Sequence, residues 1–220
     1  MTTTLTQTDG VYVLDIGDTE NRFSPDWMTS VNDALDKVVA APAPLVLTAT
    51  GKFYSNGLDL DWLGQNADQF ESYVADVQAL LARLLVLPVP TATAINGHAF
   101  GAGAMLAMTL DWRVMREDRG FFCFPEVDIQ IPFTPGMAAL IQAKLTPRAA
   151  TDSMTTGRRF PGPDALAAGI VDGTAPDAEL LEQAIARVAP LAGKPAETLG
   201  KIKSTMYATA VAALTAEEAR

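Results

Sequence analysis

Apolar residues recur along this chain with two spacings, and their order predicts an alternation of strands and helices. Val11–Ile16 is a compact apolar run and reads as a first strand. Ser24-Pro25-Asp26 then supplies an N-cap, a proline at the first helical position and an acid in the first turn. Met28, Val31, Leu35 and Val38 follow at helical spacing. Leu45–Thr50 is a short buried strand, and Phe70, Val74, Val77, Leu81 and Leu84 mark a long amphipathic helix stopped by Pro88 and Pro90. Thr91–Ile95 is a second buried strand, followed by a helix over Gly103–Thr109. Trp112–Met115 and Phe121–Phe124 read as strands. Pro135–Leu145 and Pro147–Thr155 read as helices, with Gly157 as a C-cap. Ile170–Asp172 is read as a short strand, and Pro176–Ala192 and Pro195–Ala213 as helices. Strands alternating with helices predict an α/β fold. The prolines flanking Leu191–Lys194 suggest a hinge that divides a core, residues 1–192, from a C-terminal helical segment, 193–220.

Composition narrows the function. The chain has 220 residues, nearly half of them hydrophobic, enough for one medium domain with a proper core. A net charge of −10 with no basic run argues against nucleic-acid binding, which needs clustered Lys and Arg. One cysteine, Cys123, excludes an internal disulfide, and with a single histidine beside it no Cys/His metal site is expected. The apolar run around Leu80–Val89 is broken by Arg83 and Pro88, so no membrane span is expected. The N-terminus lacks a signal-peptide pattern, and Glu217–Arg220 is not a peroxisomal address. The expectation is a cytoplasmic protein.

Two glycine-centred junctions and one carboxylate carry the candidate chemistry. Phe53-Tyr54-Ser55-Asn56-Gly57-Leu58-Asp59-Leu60 and Asn96-Gly97-His98-Ala99-Phe100-Gly101-Ala102-Gly103-Ala104-Met105 each lie between a β-prone and a helix-prone run. Such junctions leave backbone N–H groups free, and two aimed at one point would hold a developing oxyanion. Glu126, set among Phe122, Phe124, Pro125 and Val127, could move a proton.

These segments resemble the crotonase superfamily, the enoyl-CoA hydratase/isomerase family. The resemblance spans roughly residues 10–190; Thr156–Phe160 and Ala165–Val171 also carry it. It implies a spiral of β-β-α units with a C-terminal helical region, an acyl-CoA thioester substrate, and homotrimers or a dimer of trimers. No cofactor is implied, because coenzyme A is part of the substrate. The resemblance assigns the oxyanion donors to the N–H groups of Leu58 and Ala102, with Arg22, Ser55, Asn56, Gly57, Asp59, Leu60, Gly101, Gly103 and Met105 as neighbours of substrate. Asn56 departs from the pattern, in which smaller residues are commoner at this position. Hydratases of the family carry two carboxylates. Here Met105 stands at the first position and Glu126 at the second. A lone carboxylate resembles the Δ3,Δ2-enoyl-CoA isomerases, as do Asn21–Pro25, Asp111–Phe121 and Glu126–Ile129; the alternatives are hydration, thioester hydrolysis or decarboxylation on the same fold, or non-catalytic acyl-CoA binding. Trp62 is a further candidate for desolvating Glu126.

The remaining candidates read as structural. His98 is expected to hydrogen-bond backbone from a loop. Gly97–Gly103 lacks the spacing of a dinucleotide loop, and Ser55 lacks a nucleophile elbow. Asp128 reads as solvated, and Asp59 and Asp61 as caps of a short helix. Arg22, Lys52, Lys201 and Lys203 are candidates for CoA phosphates by chain position alone. The hydrophobic run around Met206, Tyr207, Val211 and Leu214 would support trimers.

Overall fold

The computed structural model describes residues 3–216; Met1, Thr2 and Glu217–Arg220 lie outside the described residues. Three successive β-β-α units build the chain's centre. In each, the first strand joins a large sheet and the second joins a small one. They are β3 (Leu45–Thr48), β4 (Phe53–Ser55) and α2 (Leu60–Gln65); β5 (Thr91–Ile95), β6 (His98–Phe100) and α4 (Ala102–Thr109); and β7 (Trp112–Arg116), β8 (Phe122–Cys123) and α5 (Glu126–Ile129). The large sheet has the order β1-β2-β3-β5-β7-β9, with β1 (Thr4–Thr8), β2 (Val11–Asp15) and β9 (Gly173–Ala175); the small sheet has the order β4-β6-β8. All pairings are parallel except β1 with β2, a hairpin turning through Asp9 and Gly10, both with positive φ. This is the expected α/β spiral.

Both faces of the large sheet are covered, which is why its central strands are apolar on both sides. On one face Leu45, Leu47 and Ile95 join the main core with α1 (Pro25–Ala40), α3 (Phe70–Leu85), α4 and α6 (Pro135–Lys144). On the other, Val46, Ala92, Ala94 and Val114 meet Leu180, Ala184 and Val188 of α9 (Asp177–Val188). Helix α1 begins as expected: the Ser24 hydroxyl accepts from Trp27 N–H at 3.3 Å, and Met28, Val31, Leu35 and Val38 are buried. Gly157 is left-handed at the end of α7 (Pro147–Thr156). Phe70, at the start of α3, is exposed rather than part of its buried stripe.

Several elements differ from the sequence expectation. Ile170 and Val171 are buried but form a turn after α8 (Gly162–Ala167), and the strand is Gly173–Ala175, paired to β7. The expected helix over Pro195–Ala213 is two helices, α10 (Ala196–Met206) and α11 (Ala208–Leu214), broken at Tyr207. The break lets Tyr207 and Leu214 turn into the main core, while Met206 on the outer side is 66% exposed. Helix α11 packs on α6 and α3. A methyl group at Gly136 of α6 would sit 2.7 Å from the Leu214 Cα and 2.6 Å from the Gln78 carboxamide oxygen, so α6 is held close by both neighbours. Among the described residues, no helix is long and apolar enough to cross a membrane.

Candidate active site

The first glycine junction leads from β4 into α2 and is fixed on both flanks. The Ser55 hydroxyl donates to Asn21 C=O at 2.7 Å and accepts from Gly57 N–H at 3.2 Å. Asn21 reaches back with its amide to Tyr54 C=O at 3.0 Å. Phe23 N–H donates to Gly57 C=O at 2.9 Å, and Asp59 N–H donates to the Tyr73 hydroxyl at 2.8 Å. Asp59 also caps α2, accepting from Trp62 N–H at 3.1 Å. Gly57 has φ +80°, a conformation that favours glycine. Between these bonded neighbours, Leu58 N–H has no acceptor among the described residues.

The second junction leads from β6 into α4 and lies directly against the first. A methyl group at Gly57 would sit 2.8 Å from Phe100 C=O and 3.0 Å from the Ala102 nitrogen. One at Gly103 would overlap the Ser55 carbonyl. Two glycines thus let the backbones touch. Ala102 is the first residue of α4, so its N–H has no intrahelical partner and stands at the positive end of the helix. Among the described residues it too has no acceptor.

Glu126 opens α5, the single helical turn after Pro125. Its Oε1 lies 3.4 Å from where a Gly101 side chain would begin, which places the carboxylate beside the second junction. The residue is 8% exposed, and its Oε2 is buried without a hydrogen-bond partner. Burial pushes its pKa up to about 7, offset in part by its own backbone N–H.

A cavity of ≈ 430 Å³ joins these groups. Leu58, Gly101, Ala102, Met105 and Glu126 line it, with Arg22, Asn56 and Leu60 toward one side and Ile129, Phe133 and Met137 toward another. Ser55, Gly57, Asp59 and Gly103 are not in its lining: they shape the junctions from behind. Trp62 does not line the cavity either. It stacks on Tyr73 with ring centroids 5.3 Å apart, so Pro125, Ile129 and Phe133 supply the apolar surroundings near Glu126 instead. His98 lies in strand β6 rather than a loop, and its Nδ1 is buried with no partner. Asp128 is exposed and packs on Gly157. Lys203 is buried and donates to Val89 C=O and Asp111, while Lys201 pairs with Glu197 on the surface.

The chain matches the family described as enoyl-CoA hydratase/isomerase over residues 6–219. It belongs to that family. It is 38% identical over 173 residues to enoyl-CoA delta isomerase 2, peroxisomal, of Arabidopsis thaliana, covering 74% of this chain and 72% of that protein. It is 36% identical over 203 residues to enoyl-CoA delta isomerase 3 of the same plant, covering 87% and 85%. Among solved structures, a probable enoyl-CoA hydratase from Mycobacterium tuberculosis superposes with a TM-score of 0.91 at 26% identity, over 99% of this chain and 93% of that one.

For an enoyl-CoA hydratase/isomerase family member, two features of the cavity were not read from the sequence. Arg159 lines it from the segment after α7, far in sequence from both glycine junctions. Ile131, Pro132 and Phe133, the strap between α5 and α6, form an apolar wall. The helical turn that ends at Gln130, a non-glycine residue with φ +59°, aims this strap at the cavity.

Proposed function

We propose that the protein is a Δ3,Δ2-enoyl-CoA isomerase that moves a 3-cis or 3-trans double bond of an acyl-CoA thioester to 2-trans. The observation that carries this reading is one unpaired buried carboxylate beside two unsatisfied N–H donors, with Met105 filling the neighbouring position. The N–H groups of Leu58 and Ala102 donate to the thioester oxygen as it gains charge. Glu126 takes the proton from C2, becomes neutral in the dienolate, and returns a proton to C4. A pKa near neutrality suits both halves of that exchange. Met105 is buried and apolar where a second acid could face Glu126, and the other carboxylate in the lining, Asp61, is exposed and paired with Arg22, so Glu126 is the one buried acid offered to C2 and C4. Homotrimers, or pairs of them, fit the exposed Ile202 and Met206 on α10.

The test is incubation of the purified protein with 3-hexenoyl-CoA, following the absorbance of the conjugated 2-enoyl thioester. Appearance of the conjugated product, with slower hydration of 2-hexenoyl-CoA, is expected. Hydration equal to or faster than isomerisation overturns the reading while leaving the fold and family intact.

A further inference from the structure

The two N–H donors that face the cavity are held in place by different means. Ala102 N–H is fixed by its own helix, whose first turn is closed by Met105 N–H donating to Gly101 C=O at 3.0 Å. Leu58 has no such support, because it precedes Asp59, the N-cap of α2. Its N–H shares a planar trans peptide with Gly57 C=O, so whatever holds that oxygen sets the direction of the N–H. Phe23 N–H holds it, at 2.9 Å. Nearby, Asn56 N–H donates to Glu20 C=O at 2.8 Å. The short segment Glu20–Phe23 therefore splints the first junction along its length.

Asn21 binds this splint to β4. It is fully buried, does not line the cavity, and has a left-handed backbone with φ +48°. Its amide nitrogen donates to Tyr54 C=O at 3.0 Å and Gly17 C=O at 3.1 Å, with Phe53 C=O at 3.3 Å. Its own C=O accepts from the Ser55 hydroxyl at 2.7 Å, and that hydroxyl accepts from Gly57 N–H at 3.2 Å. Glycine would allow the backbone conformation but has no donor, and an ionised aspartate has only acceptors; asparagine supplies both. The arrangement has a cost. Asn21 Oδ1 is buried without a partner against Gly17, where a methyl group would lie 2.5 Å from it. The far end of the splint is tied down too: the Phe23 ring stacks on Trp27 with centroids 4.7 Å apart, and Trp27 Nε1 donates to Ile16 C=O at 2.9 Å.

Resting on the reading of Leu58 N–H as a donor to the thioester oxygen, we propose that Asn21 is a positioning residue for the reaction: it clamps Glu20–Phe23 to β4 and so aims the Leu58 N–H into the cavity. Without the clamp the Gly57–Leu58 peptide is free to tilt. Tilting weakens the bond to a charged oxygen more than the bond to a neutral thioester, so the loss falls on the transition state.

Binding of acetoacetyl-CoA tests this without requiring turnover, because the enolate of this β-ketoacyl thioester places charge on the thioester oxygen and has its own near-ultraviolet band. The wild type is expected to raise that band above its level in buffer at the same pH. Asn21→Gly keeps the left-handed backbone and removes the amide. It is expected to lose most of the bound-enolate band, and to lower kcat for 3-hexenoyl-CoA about tenfold or more with KM within about twofold. Ser55→Ala, which removes the hydroxyl shared by Asn21 C=O and Gly57 N–H, is expected to move both readouts in the same direction and carries the test if Asn21→Gly does not fold by circular dichroism. A folded variant that keeps the wild-type band and kcat, or that raises KM alone, overturns the proposal. A wild type that forms no bound enolate removes the oxyanion reading and this inference together. A wild type that forms the enolate but isomerises nothing, with the band lost in the variants, leaves this inference standing and removes the isomerase reading.

Discussion

Two cavities of the same volume, ≈ 430 Å³, sit in this protein, and what separates them is hydrogen-bond satisfaction rather than size. One lies at the glycine junctions. The other lies between α10 and the ends of β5 and β7, lined by Trp112, Leu199, Ile202, Met206 and the pair of half-buried Asp111 with buried Lys203. In the second cavity every buried charge is answered. Lys203 Nζ donates to Asp111 at 2.6 Å and to Val89 C=O at 2.8 Å, and Asp111 also accepts from Thr91 N–H. Behind it, Arg113 bonds Ile170 C=O, Leu110 C=O and Asp172, and Lys144 bonds Leu110 C=O and the Tyr207 hydroxyl. That network pins the break between α10 and α11 to the sheet. In the first cavity, Glu126 Oε2 and two N–H groups are left open. Unanswered buried polar groups cost stability, and a fold retains them where a ligand completes them.

The comparison is sharpest in Glu126→Gln. The amide keeps the shape but cannot accept the C2 proton, so kcat for 3-enoyl-CoA isomerisation is expected to fall by about 10³-fold or more, with an unchanged circular dichroism spectrum. Activity within tenfold of wild type would place the base elsewhere. Lys203→Met addresses the other cavity. It leaves the half-buried Asp111 without its cation, and denaturant unfolding is expected to show a loss of up to about 3 kcal/mol while the folded fraction keeps its turnover. A variant that kept its stability but lost activity would reverse the roles assigned to the two cavities.

Ala102→Pro is a smaller cut. Proline is well accepted at the first position of a helix, so α4 is expected to form, but the ring removes the N–H. Loss of one oxyanion donor is expected to lower kcat about 10²-fold at unchanged melting temperature. Normal turnover in the folded variant would show that the thioester oxygen is held elsewhere. The mildest probe is pH. Glu126 acts as a base only when ionised, so kcat/KM is expected to fall tenfold per unit below about pH 7 and to level off above it. Stability has the opposite sign. The folded pKa lies above the ordinary carboxylate value of about 4.5, so the folded state binds this proton more tightly, and stability declines as pH rises from 4.5 to about 7. Glu126→Gln is expected to remove that decline, up to about 3 kcal/mol, in unfolding titrations across this range. A slope retained in the variant would assign it to another group.

Long elements with a repeated stripe, such as α1 with its Ser24 cap and α3 with the prolines that follow it, were legible because local chemistry and burial agree there. Of the small sheet only β8 was legible, inside the strand read over Phe121–Phe124; β4 and β6 are three residues long, too short for any periodicity, and are made by pairing between distant segments. Strand β9, Gly-Thr-Ala, has no apolar pattern and exists because β7 offers it an edge. The break at Tyr207 was hidden because the apolar spacing continues through it. Within the candidate site, the glycine junctions and Glu126 stood out because their chemistry needs neighbours in sequence. Arg159 did not, because only the fold carries it to the cavity. Trp62 misled because proximity in sequence to the first junction says nothing of which way the ring faces.

The close seat of α11 on α6 has a bearing on the order in which the protein is made. Phe133 and Met137, at the entry and first turn of α6, line the cavity, and α6 rests on Leu214 of α11. A ribosome delivers the glycine junctions and Glu126 well before it delivers α11. The nascent chain therefore holds its donors and base before the helix that backs their wall, and the cavity acquires its shape only as the last described helix docks.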